Sequence, residues 1–142
     1  MQNDYEAKRF NVTNHQPSTI NHEPSTMTFG ILGSGSWGTA IAKILTDKGN
    51  TIYWWNRSEV HIQYILERHH NPQYLSAAHF DTSKLILTTD PAAVIANSDC
   101  IVIVIPSAYV DHALRGLDKN IFAGKKVISA IKGILPESNL LL

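Results

Sequence analysis

From Thr28 onward, short apolar runs alternate with stretches whose apolar residues recur at helical spacing. Phe29-Gly30-Ile31-Leu32 is an apolar run broken at Gly33, which predicts a buried strand. Trp37, Ala40, Ile41, Ile44 and Leu45 then follow the i, i+3, i+4 rule, so residues 37–48 are expected to form a helix that Gly49 stops. Thr51-Ile52-Tyr53-Trp54-Trp55 is β-branched and aromatic, a second strand whose two tryptophans face opposite ways into the core. Ser58 is placed to cap a helix over about 59–69, ended by Asn71-Pro72. Leu85-Ile86-Leu87 reads as a third strand, and Asp90-Pro91 opens a short helix in cap-then-proline order. Residues 100–105 are nearly all β-branched, a fourth strand covered on both faces. A helix over about 108–117 and a fifth strand at 126–130 complete the pattern.

Strands alternating with helices predict a doubly wound α/β fold, a parallel sheet with helices on both faces. The organisation expected is a flexible leader over 1–27, poor in apolar side chains, and one domain over 28–142. Met27 is a second candidate start. Leu140-Leu141-Leu142 looks like the opening of a cut element, so the domain is expected to be truncated at its C-terminal end.

Composition narrows the functional classes. A hydrophobic fraction of 44% with 17% charged residues belongs to a globular chain. Twelve basic residues balance twelve acidic ones, which lacks the basic footprint of a nucleic-acid or anionic-membrane binder. The leader has no apolar core of the kind a signal peptide carries, and no apolar stretch nears the ~20 residues of a membrane span. The single cysteine, Cys100, precludes an internal disulfide and sits in an apolar run, as a small buried residue in a reducing cytoplasm would. Seven histidines are present, but none is spaced with Cys or carboxylate partners as a metal site requires, and no metal is expected.

The chemistry lies in Gly33-Ser34-Gly35-Ser36-Trp37-Gly38. A G-x-G-x-x-G string alone is weak, but here a strand leads in, a helix leads out and a second strand follows, the arrangement of a Rossmann dinucleotide site. Gly33 would permit the tight turn, Gly35 the close approach of a pyrophosphate, and Gly38 the packing of helix on strand. The pyrophosphate would lie on the free N–H groups of a helix beginning near Ser36. Beyond the second strand, Arg57 stands at about the ~20-residue separation where such folds select between NAD and NADP. A guanidinium suits a 2′-phosphate and Ser58 adds a donor, which favours NADP; Glu59 nearby keeps NAD open. Ser107 follows the fourth strand, and serves either as a helix N-cap or as a cofactor contact. Lys132 follows the fifth and offers a cation at the carboxyl ends of the strands, where ligands collect.

Together these residues resemble the bacterial type of NAD(P)-dependent glycerol-3-phosphate dehydrogenase. The likeness runs from about Thr28 to the last residue, through GSGSWGTA (33–40), WNR (55–57), Asn71-x-x-Tyr74-Leu75, VIPS (104–107) and SAIKG (129–133). The resemblance implies that Ser36, Trp37 and Arg57 contact the cofactor. It also implies that Lys132 touches both cofactor and sn-glycerol 3-phosphate. The implied reaction is reversible hydride transfer between NAD(P)H and dihydroxyacetone phosphate, supplying glycerol phosphate for membrane lipids, with a homodimer as candidate assembly. Ser76 departs from the proline frequent in the family after the Tyr-Leu pair. The family's helical domain, with its general acid–base lysine, has no counterpart here, so the chain is expected to bind dinucleotide and turn over poorly. Two other readings stay open: a non-catalytic dinucleotide-binding module, and the cofactor half of a related two-domain reductase.

Overall fold

The computed structural model describes residues 26–131; the leader before residue 26, and Lys132 with the residues after it, lie outside the described part. Five strands, β1 (Phe29–Leu32), β2 (Ile52–Trp55), β3 (Leu85–Thr88), β4 (Cys100–Ile103) and β5 (Lys126–Ser129), form one sheet in the order β3-β2-β1-β4-β5. Every pairing is parallel. The helices between them are α1 (Ser36–Asp47), α2 (Glu59–Arg68), α3 (Pro91–Ala96) and α4 (Ser107–Ala113), with a 3-10 turn at Thr82–Lys84 leading into β3. After β3, at one edge, the chain returns to β4 beside β1. The strand order therefore reverses at β1 and β4, and a crevice opens at their carboxyl ends.

Strand alternation sorts the core into two layers. Ile31, Ile52 and Trp54 pack with Ala42 of α1, Ile65 of α2 and Phe80 on one face. Leu32, Ile101 and Ile103 pack with Val94 and Ile95 of α3 and Val110 of α4 on the other. Trp54 has no exposed surface and lies 5.5 Å from the ring of Phe80, making it one of the larger single hydrophobic contributions. Cys100 is buried at the start of β4, and the loss of solvent pushes its thiol pKa up, consistent with an inert core residue. β5 is exposed along its length, with Val127 and Ile128 about half uncovered at the sheet edge. Among the described residues, no helix is long and apolar enough to cross a membrane.

Several boundaries differ from expectation for local reasons. α2 ends at Arg68 because His69 adopts a left-handed conformation (φ 63°), before Asn71-Pro72 is reached. α4 stops at Ala113, and Gly116 at φ 80° turns the chain away where a helix through residue 117 was expected. β4 ends at Ile103 and β5 at Ser129, shorter than their apolar runs. Trp55 is only half-buried, its indole N–H donating to the Thr89 carbonyl. Asp90 does cap α3, accepting from the Ala92 N–H, and Gly49 at φ 91° follows α1 as expected.

A candidate dinucleotide cradle at the β1–α1 turn

The link from β1 to α1 is only Gly33-Ser34-Gly35, and its two glycines and Gly38 in the first turn of α1 answer to different demands. Gly33 has φ 126°, which L side chains rarely adopt, and a Cβ there would press to 3.0 Å on the Val104 backbone. At Gly38 a Cβ would overlap the Gly33 carbonyl oxygen at 2.1 Å, so only glycine lets α1 close onto the turn. Gly35 is unlike both. Its φ of −74° and ψ of −169° suit any residue, and a Cβ there would meet nothing within 4 Å. The fold makes no demand for glycine at that position; a ligand lying against the backbone would.

The turn's carbonyls are tied back into the protein. Trp54 Nε1 donates to the Gly33 carbonyl at 2.9 Å, Asn71 Nδ2 to that of Ser34 at 3.0 Å, and Thr39 Oγ1 to that of Gly35 at 2.8 Å. Asn71 Nδ2 also reaches Thr39 Oγ1 at 2.9 Å, which joins two of the three ties. The first N–H groups of α1, at Ser36, Trp37 and Gly38, have no intrahelical acceptor, as at any helix start. No side chain caps them and no acidic residue sits in the first turn. Ser36 and Trp37 are exposed. Inward carbonyls, outward donors and the positive end of a twelve-residue helix make a surface suited to an anion.

Arg57 is exposed just past the end of β2. Among the described residues the only ion pair is Lys43–Asp47 within α1, so no carboxylate holds the Arg57 guanidinium. Glu59, the nearby carboxylate that keeps NAD open, accepts from Gln63 Nε2 at 3.0 Å. Ser58 is the N-cap residue of α2, but its side chain makes no capping hydrogen bond. Ser107 is the first residue of α4, half-buried, while Pro106 takes the cap position; the N-cap reading of Ser107 does not hold. Val104, three residues before Ser107, lies against the Gly33 turn. Lys132 lies outside the described residues.

Sequence reasoning missed Trp54, Asn71 and Thr39 as parts of the site. Trp54 was assigned to the core, and its indole partner lies far away in the chain. Asn71 carried a local signal, an Asn-Pro pair that favours a turn: its Oδ1 accepts from the N–H groups of Gln73 and Tyr74. It missed Asn56 as well, which is fully buried with neither amide atom partnered among the described residues.

Comparison with known proteins agrees with this geometry. The family model described as the N-terminus of NAD-dependent glycerol-3-phosphate dehydrogenase matches residues 28–142. A glycerol-3-phosphate dehydrogenase [NAD(P)+] of Nitratidesulfovibrio vulgaris is 34% identical over 108 residues, 76% of this chain and 32% of the relative. The Bacillus subtilis enzyme of that name is 36% identical over 110 residues, 78% of this chain and 32% of its own. The crystal structure of glycerol-3-phosphate dehydrogenase from Coxiella burnetii superposes with a TM-score of 0.68 at 28% identity, covering 78% of this chain and 34% of that one. An imine reductase from Myxococcus stipitatus shares the fold alone, with a TM-score of 0.53 at 22% identity. The chain thus spans about a third of the length of the relatives it matches. It belongs to the NAD-dependent glycerol-3-phosphate dehydrogenase family and corresponds to the N-terminal domain of its members.

Proposed function

We propose that this domain binds NADP or NAD across the β1–α1 turn as the cofactor half of a glycerol-3-phosphate dehydrogenase. The observation that carries the reading is Gly35, a glycine with open space before it and no conformational reason to be glycine. The pyrophosphate is taken by the N–H groups at the start of α1, with Ser36 and Trp37 beside it. Arg57, free of any carboxylate among the described residues, takes the 2′-phosphate and favours NADP. Ser107 borders the same crevice from α4. When bound, the nicotinamide supplies the hydride exchanged with dihydroxyacetone phosphate to give sn-glycerol 3-phosphate. Lys132 serves as a contact to cofactor and substrate, as its match to the family motif suggests, and not as the general acid–base. The substrate, a homodimeric assembly and a cytoplasmic location rest on the family rather than on this site.

Arg57→Ala tests the cofactor reading by calorimetric titration of the chain. Loss of a charge-assisted contact worth ~1.5–3 kcal/mol should weaken NADPH by about ten- to a hundredfold and leave NADH within about threefold. Equal losses for both, or none, would remove Arg57 from the site.

A further inference from the structure

The link Gly33-Ser34-Gly35 has little of its own to hold it in shape. Two of its three residues are glycines, which have the most backbone freedom to lose on ordering, and Gly33 sits at φ 126°. Backbone N–H groups favour an anion best when they are already fixed, because any freedom left in the free chain is lost on binding. What orders this link has to come from outside it.

Three side chains supply that order, each on a different carbonyl. Trp54 Nε1 donates to the carbonyl of Gly33, Asn71 Nδ2 to that of Ser34 and Thr39 Oγ1 to that of Gly35. Among the described residues every peptide bond is trans, and in a trans peptide the C=O and the N–H point in opposite directions. Fixing these three carbonyls therefore aims the N–H groups of Ser34, Gly35 and Ser36 the other way. None of the three N–H groups has an acceptor among the described residues. The result is a run of successive free donors, the arrangement that takes up anions.

Of the three clamps, Trp54 is the one whose polar group the packing does not require. It faces the layer of Ile31, Ile52, Ile65 and Phe80, where any large apolar side chain would fill the space. An indole adds a donor to that bulk, and the donor ends at 2.9 Å on the carbonyl of a glycine. The same oxygen lies against Gly38, where a Cβ would approach it to 2.1 Å, so it is held from two sides. Resting on the cofactor reading above, we propose that Trp54 is a positioning residue for pyrophosphate binding. It holds the Gly33–Ser34 peptide plane so that the Ser34 N–H, and not a carbonyl oxygen, faces the phosphates. Without the indole donor that plane is free to turn, and an outward carbonyl repels an anion. Trp54 has no exposed surface, so it acts through the turn and not by contact with the ligand.

The test is a calorimetric titration of NADPH and NADH into the unmodified chain, Trp54→Phe and Ile65→Val, each well below its measured unfolding temperature. Ile65→Val trims the same core layer from α2 and controls for loosened packing. Trp54→Phe should weaken both dinucleotides by about five- to tenfold, the loss of one ordinary hydrogen bond, with their affinity ratio unchanged. Ile65→Val should leave both affinities unaltered. Should Trp54→Phe fail to fold, benzothienylalanine at position 54 keeps the bulk, has sulfur in place of the indole N–H, and is expected to show the same loss. A Trp54→Phe chain of reduced stability and unaltered affinity overturns the proposal, because the indole N–H is then only a satisfied core donor. So does an equal loss in Ile65→Val, which puts the effect in general packing. A loss confined to NADPH overturns it as well, since the effect then runs along β2 to Arg57. If the unmodified chain binds neither dinucleotide, the cofactor reading itself fails, a result distinct from all of these.

Discussion

Gly33, Gly35 and Gly38 share one motif, yet the forces acting on them separate into fold and ligand. Gly33 is held by its positive φ and Gly38 by a 2.1 Å overlap that any Cβ would create with the Gly33 carbonyl. Gly38→Ala should therefore destabilise the chain by about 1–3 kcal/mol or more, as overpacking does, with a lowered thermal midpoint as the readout. Gly35→Ala should leave that midpoint within about a degree, since its Cβ enters open space, and still abolish measurable dinucleotide binding in titration. If Gly35→Ala binds normally, no pyrophosphate approaches the turn. The motif was legible in the sequence down to these individual tasks. The ties behind it were not. Trp54 reads as core because its strand is apolar, and nothing local reveals that its indole N–H ends on the Gly33 carbonyl.

At the level of elements, the segment after α2 is a brace for the glycine turn. His69 in a left-handed conformation ends the helix, and the Phe80 N–H returns to the His69 carbonyl at 2.7 Å, closing the loop at its base. Asn71 spends its oxygen within that loop and its nitrogen on Ser34 and Thr39. Asn71→Leu would strand the Ser34 carbonyl at a cost of ~1–3 kcal/mol. The expected result is a midpoint lower by ~5–10 °C with weaker NADPH binding; a chain unchanged in both would show that the brace is dispensable. Sequence spacing located this segment and every strand and helix. It misplaced the end of α4, where backbone conformation at Gly116 decided it, because periodicity follows apolar faces and is blind to a single left-handed residue. For the same reason spacing does not decide between cap and cofactor contact at Ser107, where the cap position falls to Pro106.

At the scale of the whole molecule, alternation of strand and helix was enough to predict a doubly wound parallel sheet, and the order β3-β2-β1-β4-β5 places its reversal at the strands that flank the glycine turn. What alternation does not carry is the depth of the crevice or the orphaned amide at the end of β2, since both depend on how side chains far apart in sequence meet. The two ends of the sheet are chemically different. The carboxyl end carries the cradle and Arg57. The amino end has a shallow open pocket lined by Thr26, Met27, Asp99, Gly124 and Lys126. Binding of dinucleotide at the cradle can be read residue by residue in a titration of the isotope-labelled chain with NADPH, followed by backbone amide resonances. Binding at the cradle predicts saturable shifts at residues 33–38 and at Arg57, with those at Asp99 and Gly124 unmoved. An absence of shifts in a folded chain, or shifts confined to the amino-end pocket, would contradict it.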